Sequence, residues 1–300
     1  VILPALATLV LTGVASVTGT VAWFTASRSV SATASNFEAK NLSGNFKIQA
    51  SNGVGTTATE NEGVDASSVT VNENTLMADA SYDINNDVLY TKVLGEVNNS
   101  TQVTGYRTVG KTGKYDSLDS TNLKAGSYTD QSATKVVYYA LTWSYTFNYT
   151  FTDTTKTMDL FLDSAGASFK NGNDGNLTGS GKGFRIGFIG TKKTILSADE
   201  ETKHVISTTA TSDDYSEEED VKYLTAGAVN EKALDNGSNN TSRPDYLGTF
   251  TPDTATSIKL KVIAWFEGAD SNVVNEKDLE AVKGSFGFYV REGATTTSSN

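Results

Sequence analysis

The chain has 300 residues, no Cys, a single His, three Pro and a formal net charge of −11. Without Cys it can have no thiolate zinc cluster, Cys nucleophile or disulfide framework, and with so acidic a balance it lacks the clustered Lys and Arg that neutralise nucleic-acid phosphates. A chain of this length can bury about 75% of its unfolded surface, so a full hydrophobic core is within reach.

The first 24 residues form an apolar arm with no charged side chain, carrying Val1, Ile2, Leu3, Leu6, Leu9, Val10, Leu11, Val14, Val17, Val21, Trp23 and Phe24. Such a segment reads physically as a signal-peptide core, a membrane helix or an extended strand. Pro4, Gly13, Gly19 and repeated Thr make it a poor helix. Its Val, Ile and Thr residues suit a pleated strand, in which about twenty residues at ~3.3 Å each would reach about 66 Å, long enough to lie in another molecule.

Beyond the arm, residues 25–300 read as one β-sandwich domain with polar insertions at 51–132 and 207–252. Phe46 and Ile48 mark a strand over 45–50, with Phe37 just upstream, and Val88, Leu89, Tyr90, Val93 and Leu94 mark a weaker one. The two insertions are too long to be structureless, so they are expected to hold strands that local pattern does not place. The clearest signal is 135–151, where Leu141, Trp143, Tyr145, Phe147, Tyr149 and Phe151 alternate with Thr, Ser and Asn, the period of a strand with one wet face. At most one bend is expected there, near Ala140. A polar turn at 153–156 leads to 158–162, so the two runs are predicted to form a hairpin.

Further strands are predicted at 184–189, 258–266 and 286–290. The middle one alternates apolar residues with Lys259 and Lys261 before turning wholly apolar. Helical pattern is confined to 197–200 and to 275–283, where Asn275 can cap two turns. Successive strands without long helices point to an all-β, jelly-roll-like sandwich.

Three stretches resemble the N-termini of TasA and camelysin-like secreted fibre proteins: Gly19 to Thr25 (GTVAWFT), Asn36 to Leu42 (NFEAKNL) and Phe46-Lys47-Ile48. The resemblance covers about 50 of the 300 residues. It implies a jelly-roll sandwich whose N-terminal strand inserts into the neighbouring subunit of an extracellular filament. The chain is also similar to a broader group of surface proteins of Gram-positive-type bacteria at Ala22-Trp23-Phe24, Tyr138-Tyr139, Leu160-Phe161-Leu162 and Trp265-Phe266-Glu267-Gly268. In the fibre family the apolar segment is removed before the aromatic pair, whereas here it stands in the sequence.

Individual sites have bland readings beside the functional ones. His204 could serve a Ser-His-Asp triad, but no Gly-x-Ser-x-Gly elbow precedes it and HExxH is absent, so it is read as a surface or strand-end residue. Asn171, Asn173 and Asp174 supply oxygens suited to Ca²⁺, yet no acidic residue closes a twelve-residue loop, and Asn-Gly and Asp-Gly also mark tight turns. Apart from that Ca²⁺ alternative, no cofactor is expected. The acidic run at Asp213, Asp214, Glu217, Glu218, Glu219 and Asp220 is read as a solvated loop, with Ca²⁺ or a neighbour's Lys as the alternative. Gly181-x-Gly183 lacks the context of a phosphate loop. The stripe Trp143, Tyr145, Phe147, Tyr149, Phe151 is read as core, with stacking on carbohydrate as the alternative.

Together these features predict a non-enzymatic, extracellular or cell-surface protein that partners itself. The arm of one copy would complete the sheet of the next, with the membrane met only during export. A membrane-anchored monomeric adhesin and a pilin-like filament with a helical arm are the other readings.

Overall fold

A computed structural model describes residues 30–39, 44–59, 68–72, 75–97, 100–111, 123–130, 133–192, 200–207, 221–227, 243–253, 255–268, 270, 272–273 and 281–295. In chain order the strands are β1 (Val30–Ala39), β2 (Gly44–Ser51), β3 (Thr56–Thr59), β4 (Ser68–Val71), β5 (Thr75–Met77), β6 (Asp79–Asp83), β7 (Val88–Val97), β8 (Ser100–Lys111) and β9 (Lys124–Asp130). They continue with β10 (Ala133–Tyr138), β11 (Leu141–Phe151), β12 (Lys156–Asn171), β13 (Phe184–Lys192), β14 (Glu200–Ser207), β15 (Val221–Thr225), β16 (Tyr246–Phe250), β17 (Ser257–Glu267) and β18 (Val282–Thr295). A 3-10 turn at Gly179–Gly183 is the one helical element of more than one residue among the described residues.

The chain is an all-β sandwich. One layer is a four-stranded sheet in the order β1-β18-β12-β16. The facing layer runs β15-β14-β13-β17, with β11 on the far side of β17 and β2 outside β11. The interior between them is aromatic because each layer contributes one face of alternating large side chains. Phe46, Trp143, Tyr145, Phe147 and Tyr149 come from one sheet and Phe250, Phe286 and Phe288 from the other. Phe288 meets Phe147 edge-on at 4.9 Å between centroids, and Phe286 meets Phe188 at 5.1 Å, so the rings lock the layers together.

β18 pairs antiparallel with β12, and β12 with β16, whereas β1 lies parallel to β18, with Val30 beside Val282 and Ala39 beside Val290. Here β11 matters. It sits between β2 and β17 and reverses the chain once more before the crossing to the four-stranded sheet, and this extra reversal brings β18 in parallel beside β1.

A second apolar layer covers the other face of the large sheet. The β6–β7 turn and the small sheet β5-β10-β9 bring Leu76, Tyr82, Ile84, Leu89, Leu123 and Val137 onto Ile189, Val205, Ile263 and Trp265. This explains the composition of β17. Ile258, Leu260, Val262, Ala264 and Phe266 face the sandwich interior, while Ile263 and Trp265 face the outer layer. Where both faces are covered, alternation gives way to a continuous apolar run.

Four expectations need correction. The predicted hairpin does not form: β11 pairs with β2 and β17, whereas β12 belongs to the opposite sheet, so the turn at 153–156 crosses between layers. Both strands carry an apolar face because they face each other across the core. The run 135–151 is two strands in different sheets, divided at Tyr139 and Ala140. Helix at 275–283 fails at its end, where Val282 and Lys283 open β18; Ala281 carries no helix, and 275–280 lie outside the described residues. Glu200, expected in a helix start, opens β14, and 197–199 lie outside the described residues.

Candidate functional site

The arm residues Val1 to Phe24 lie outside the described residues, as do the acidic residues Asp213 to Asp220. The strand closest after the arm is β1, at the edge of the four-stranded sheet. Near it, the β3–β4 hairpin places Val69 in the interior, closing that side of the sandwich.

Trp143, Tyr145, Phe147 and Tyr149 are buried and Phe151 is half-buried, so the stripe belongs to the interior and presents no open face for stacking on a ligand. Burial raises the Tyr145 phenol above its ordinary value. The opposite side of β11 grades from wet to dry. Asn148 and Thr150 are exposed, but Thr142 is sealed, its hydroxyl oxygen accepting from the Val54 N–H at 3.0 Å while its carbonyl accepts from the Thr56 hydroxyl at 2.7 Å.

His204 is 1% exposed at mid-strand in β14, which corrects the surface or strand-end expectation. It lies beside Phe188 of β13 and shares its face with Ile206, a residue of the sandwich interior.

Around Asn171 the oxygen-rich run folds on itself. The Asn171 side-chain oxygen accepts from the N–H groups of Asn173 at 3.0 Å and Gly175 at 2.9 Å. Asp174 takes φ 63 and its carboxylate meets Lys283 Nζ at 3.1 Å. The geometry is that of a side-chain-stabilised tight turn, with Asn171 turned toward backbone donors and Asp174 toward a cation. Among the described residues, no group of three or more His, Asp or Glu is placed to hold a metal ion.

Three buried ionic clusters emerge that local pattern did not mark. On the outer face of the four-stranded sheet, Arg243 clasps Asp245 through two nitrogens at 3.0 and 2.9 Å, and the Tyr289 hydroxyl donates to the same carboxylate at 2.6 Å. Phe161 stacks on Tyr289 at 4.9 Å, with Arg243 over the Phe161 ring and Arg291 over the Tyr289 ring, both at 5.6 Å. Burial, and then the Asp245 carboxylate, push the Tyr289 phenol upward.

At one end of the sandwich Arg185 pairs with Asp270 at 2.5 Å, and Asp270 also accepts from the backbone and side chain of Asn272 at 2.8 Å. Burial would raise the Asp270 carboxyl, but these donors and the guanidinium together hold it below the usual carboxylate value.

The third cluster joins the outer layer to the large sheet. Lys261 of β17 meets Asp87 at 3.3 Å, and Tyr82 donates to the same oxygen at 2.7 Å. Farther along β17 the Trp265 indole donates to Glu267 at 2.8 Å, whose other oxygen accepts from Ser81 at 2.6 Å. Lys203 donates to Asn85 at 2.9 Å. The β6–β7 turn is therefore seated by polar contacts at both sides of the buried Ile84. No family model, curated protein or solved structure matches the chain.

Proposed function

We propose that this protein is a structural subunit of an extracellular, cell-surface filament, assembled head-to-tail when the apolar arm, residues 1–24, enters the neighbouring subunit. The carrying observation is the 24-residue uncharged arm placed shortly before a strand at the edge of a sandwich. Strand addition satisfies the backbone groups of such an arm and removes its side chains from water in one step. If about 15 residues each bury ~60 Å² of apolar surface, the hydrophobic contribution is about 20 kcal/mol before ordering costs are deducted. A heterologous contact of this kind need not close, and an open filament follows.

The strand order supports a jelly-roll reading. Sheets β1-β18-β12-β16 and β2-β17-β13-β14 match the two four-stranded sheets of a double Greek-key roll, with β11 intercalated between β2 and β17. An aromatic stripe consumed by the protein's own core is not free to stack on carbohydrate, which favours the structural subunit over a sugar-binding module that would use that stripe.

The test is negative-stain imaging of the full chain beside a chain beginning at Thr25. Filaments from the first and monomers from the second are expected. Filaments from both would remove the arm from assembly. Single particles of the full chain held in membrane fractions would favour the anchored adhesin, and a helical signature for the arm would favour the pilin-like filament.

A further inference from the structure

The Lys261 and Asp87 pair has features beyond those of an ordinary ion pair. Its partners are 174 residues apart in sequence. The Lys261 side chain is 4% exposed and the Asp87 side chain 3%. The pair lies where the β6–β7 turn settles on β17, beside the apolar layer formed by Ile189, Ile263 and Leu89. Two full charges removed from water cost several kcal/mol each, and mutual attraction repays this only with very good geometry. The amine nitrogen stands 3.3 Å from Oδ1, against the carboxyl group it would attack. Tyr82 donates to that same oxygen at 2.7 Å, where it can stabilise negative charge developing as the carbon is attacked. Asp87 is held in this position by a turn in which it takes φ 55.

We propose that Lys261 and Asp87 condense into an intramolecular amide, a self-formed cross-link between β17 and the β6–β7 turn. A proton first passes from the ammonium to the carboxylate, giving neutral amine and acid. The nitrogen lone pair then attacks Cγ, forming the C–N bond, with Oδ1 held by the Tyr82 hydroxyl. The Cγ–Oδ2 bond breaks, and Oδ2 departs as water with protons from the acid and the nitrogen. No oxidant, metal or co-reactant is consumed. The product removes both charges from the buried layer. It also gives this Cys-free chain a covalent staple.

The experiment is the intact mass of the purified full chain, fully denatured, followed by peptide mapping. The expected chain is lighter than its sequence by one water, about 18 Da, and yields a branched peptide joining the Asp87 and Lys261 segments. Lys261→Met should restore the full sequence mass. Asp87→Asn should condense with loss of ammonia instead, a deficit of about 17 Da. A native chain at its full sequence mass overturns the proposal. So does a deficit that maps to a linear peptide, which would mark a cyclised Asp elsewhere. The native chain's own mass and peptide map decide the proposal, because the bond forms only in folded protein and the parent chain needs no variant to fold.

Discussion

Phe286→Ala tests whether the rings hold the two layers together. Phe286 is 1% exposed on β18, and its ring reaches Phe188 of β13 at 5.1 Å and Trp143 and Tyr145 of β11 at 6.3 and 6.4 Å. Truncation removes contacts to two strands of the opposite sheet and leaves a void that neighbouring rings can only partly fill. Phe→Ala in such a setting costs about 3–5 kcal/mol, a large share of the ~5–15 kcal/mol by which domains are stable. With a urea m-value of about 3 kcal/mol/M, a loss of about 4 kcal/mol lowers the unfolding midpoint by about 1.3 M. Phe151→Ala is the control. That residue is half-buried at the end of β11, and its truncation should cost about 1–2 kcal/mol. Urea melts of both variants, followed by far-UV circular dichroism, decide the matter. If Phe286→Ala lost no more than Phe151→Ala, the ring would not be clamped between sheets and the account of the interior would be wrong.

Gly187→Val should loosen the outer layer while sparing the sandwich. A Cβ there would stand 3.1 Å from Ile263, 3.2 Å from Trp265 and 3.4 Å from Ile84, so overpacking of about 1–3 kcal/mol is expected. It would be read as faster amide exchange in β6 and β7 with β11 still protected. Equal acceleration of both would show that the layers do not respond separately. Thr142→Val keeps the shape but deprives the buried Val54 N–H of its acceptor, an expected loss of about 1–3 kcal/mol by urea melt; no loss would mean that water replaces the hydroxyl. Because Asp270 is held below the usual carboxylate value in the fold, its stabilising contribution is complete above the unfolded value of about 3.9 and disappears as pH falls through the folded one. Asp270→Asn should therefore be destabilised near neutral pH and converge on the parent chain in strong acid. A constant gap across that range would contradict the ionic account.

What could be read beforehand was whatever depends on local alternation. β11 declares itself because its odd positions face one aromatic core along the strand's length, and β2, β13 and the start of β17 do so for the same reason. Layer membership is different. Nothing near residues 153–156 distinguishes a turn that closes a hairpin from one that crosses between sheets, since both join two strands with one apolar face. Lys261 looks like the wet side of an alternating strand, and Asp87, arriving from 174 residues away, helps make its burial tolerable. The Thr-rich strands β3 and β4 and the strand β8 have little apolar periodicity, and what defines them is pairing within local hairpins, β3 with β4 and β8 with β7. His204 follows the polar run from Glu200 to Lys203, which reads as exposed, but it belongs with Val205 and Ile206 to the buried end of β14.

The parallel β1–β18 pair has a mechanical consequence. The chain enters β1 at Val30, beside Val282, and leaves β18 past Val290, at the far pole of the same pair. Tension applied between the segments before Val30 and after Thr295 would load this ladder in shear. Its nine residue pairs would bear the force together, where an antiparallel pair pulled from one pole would unzip bond by bond. A strand order that looks irregular on a topology diagram is thus a joint that resists a pull between the start of β1 and the end of β18.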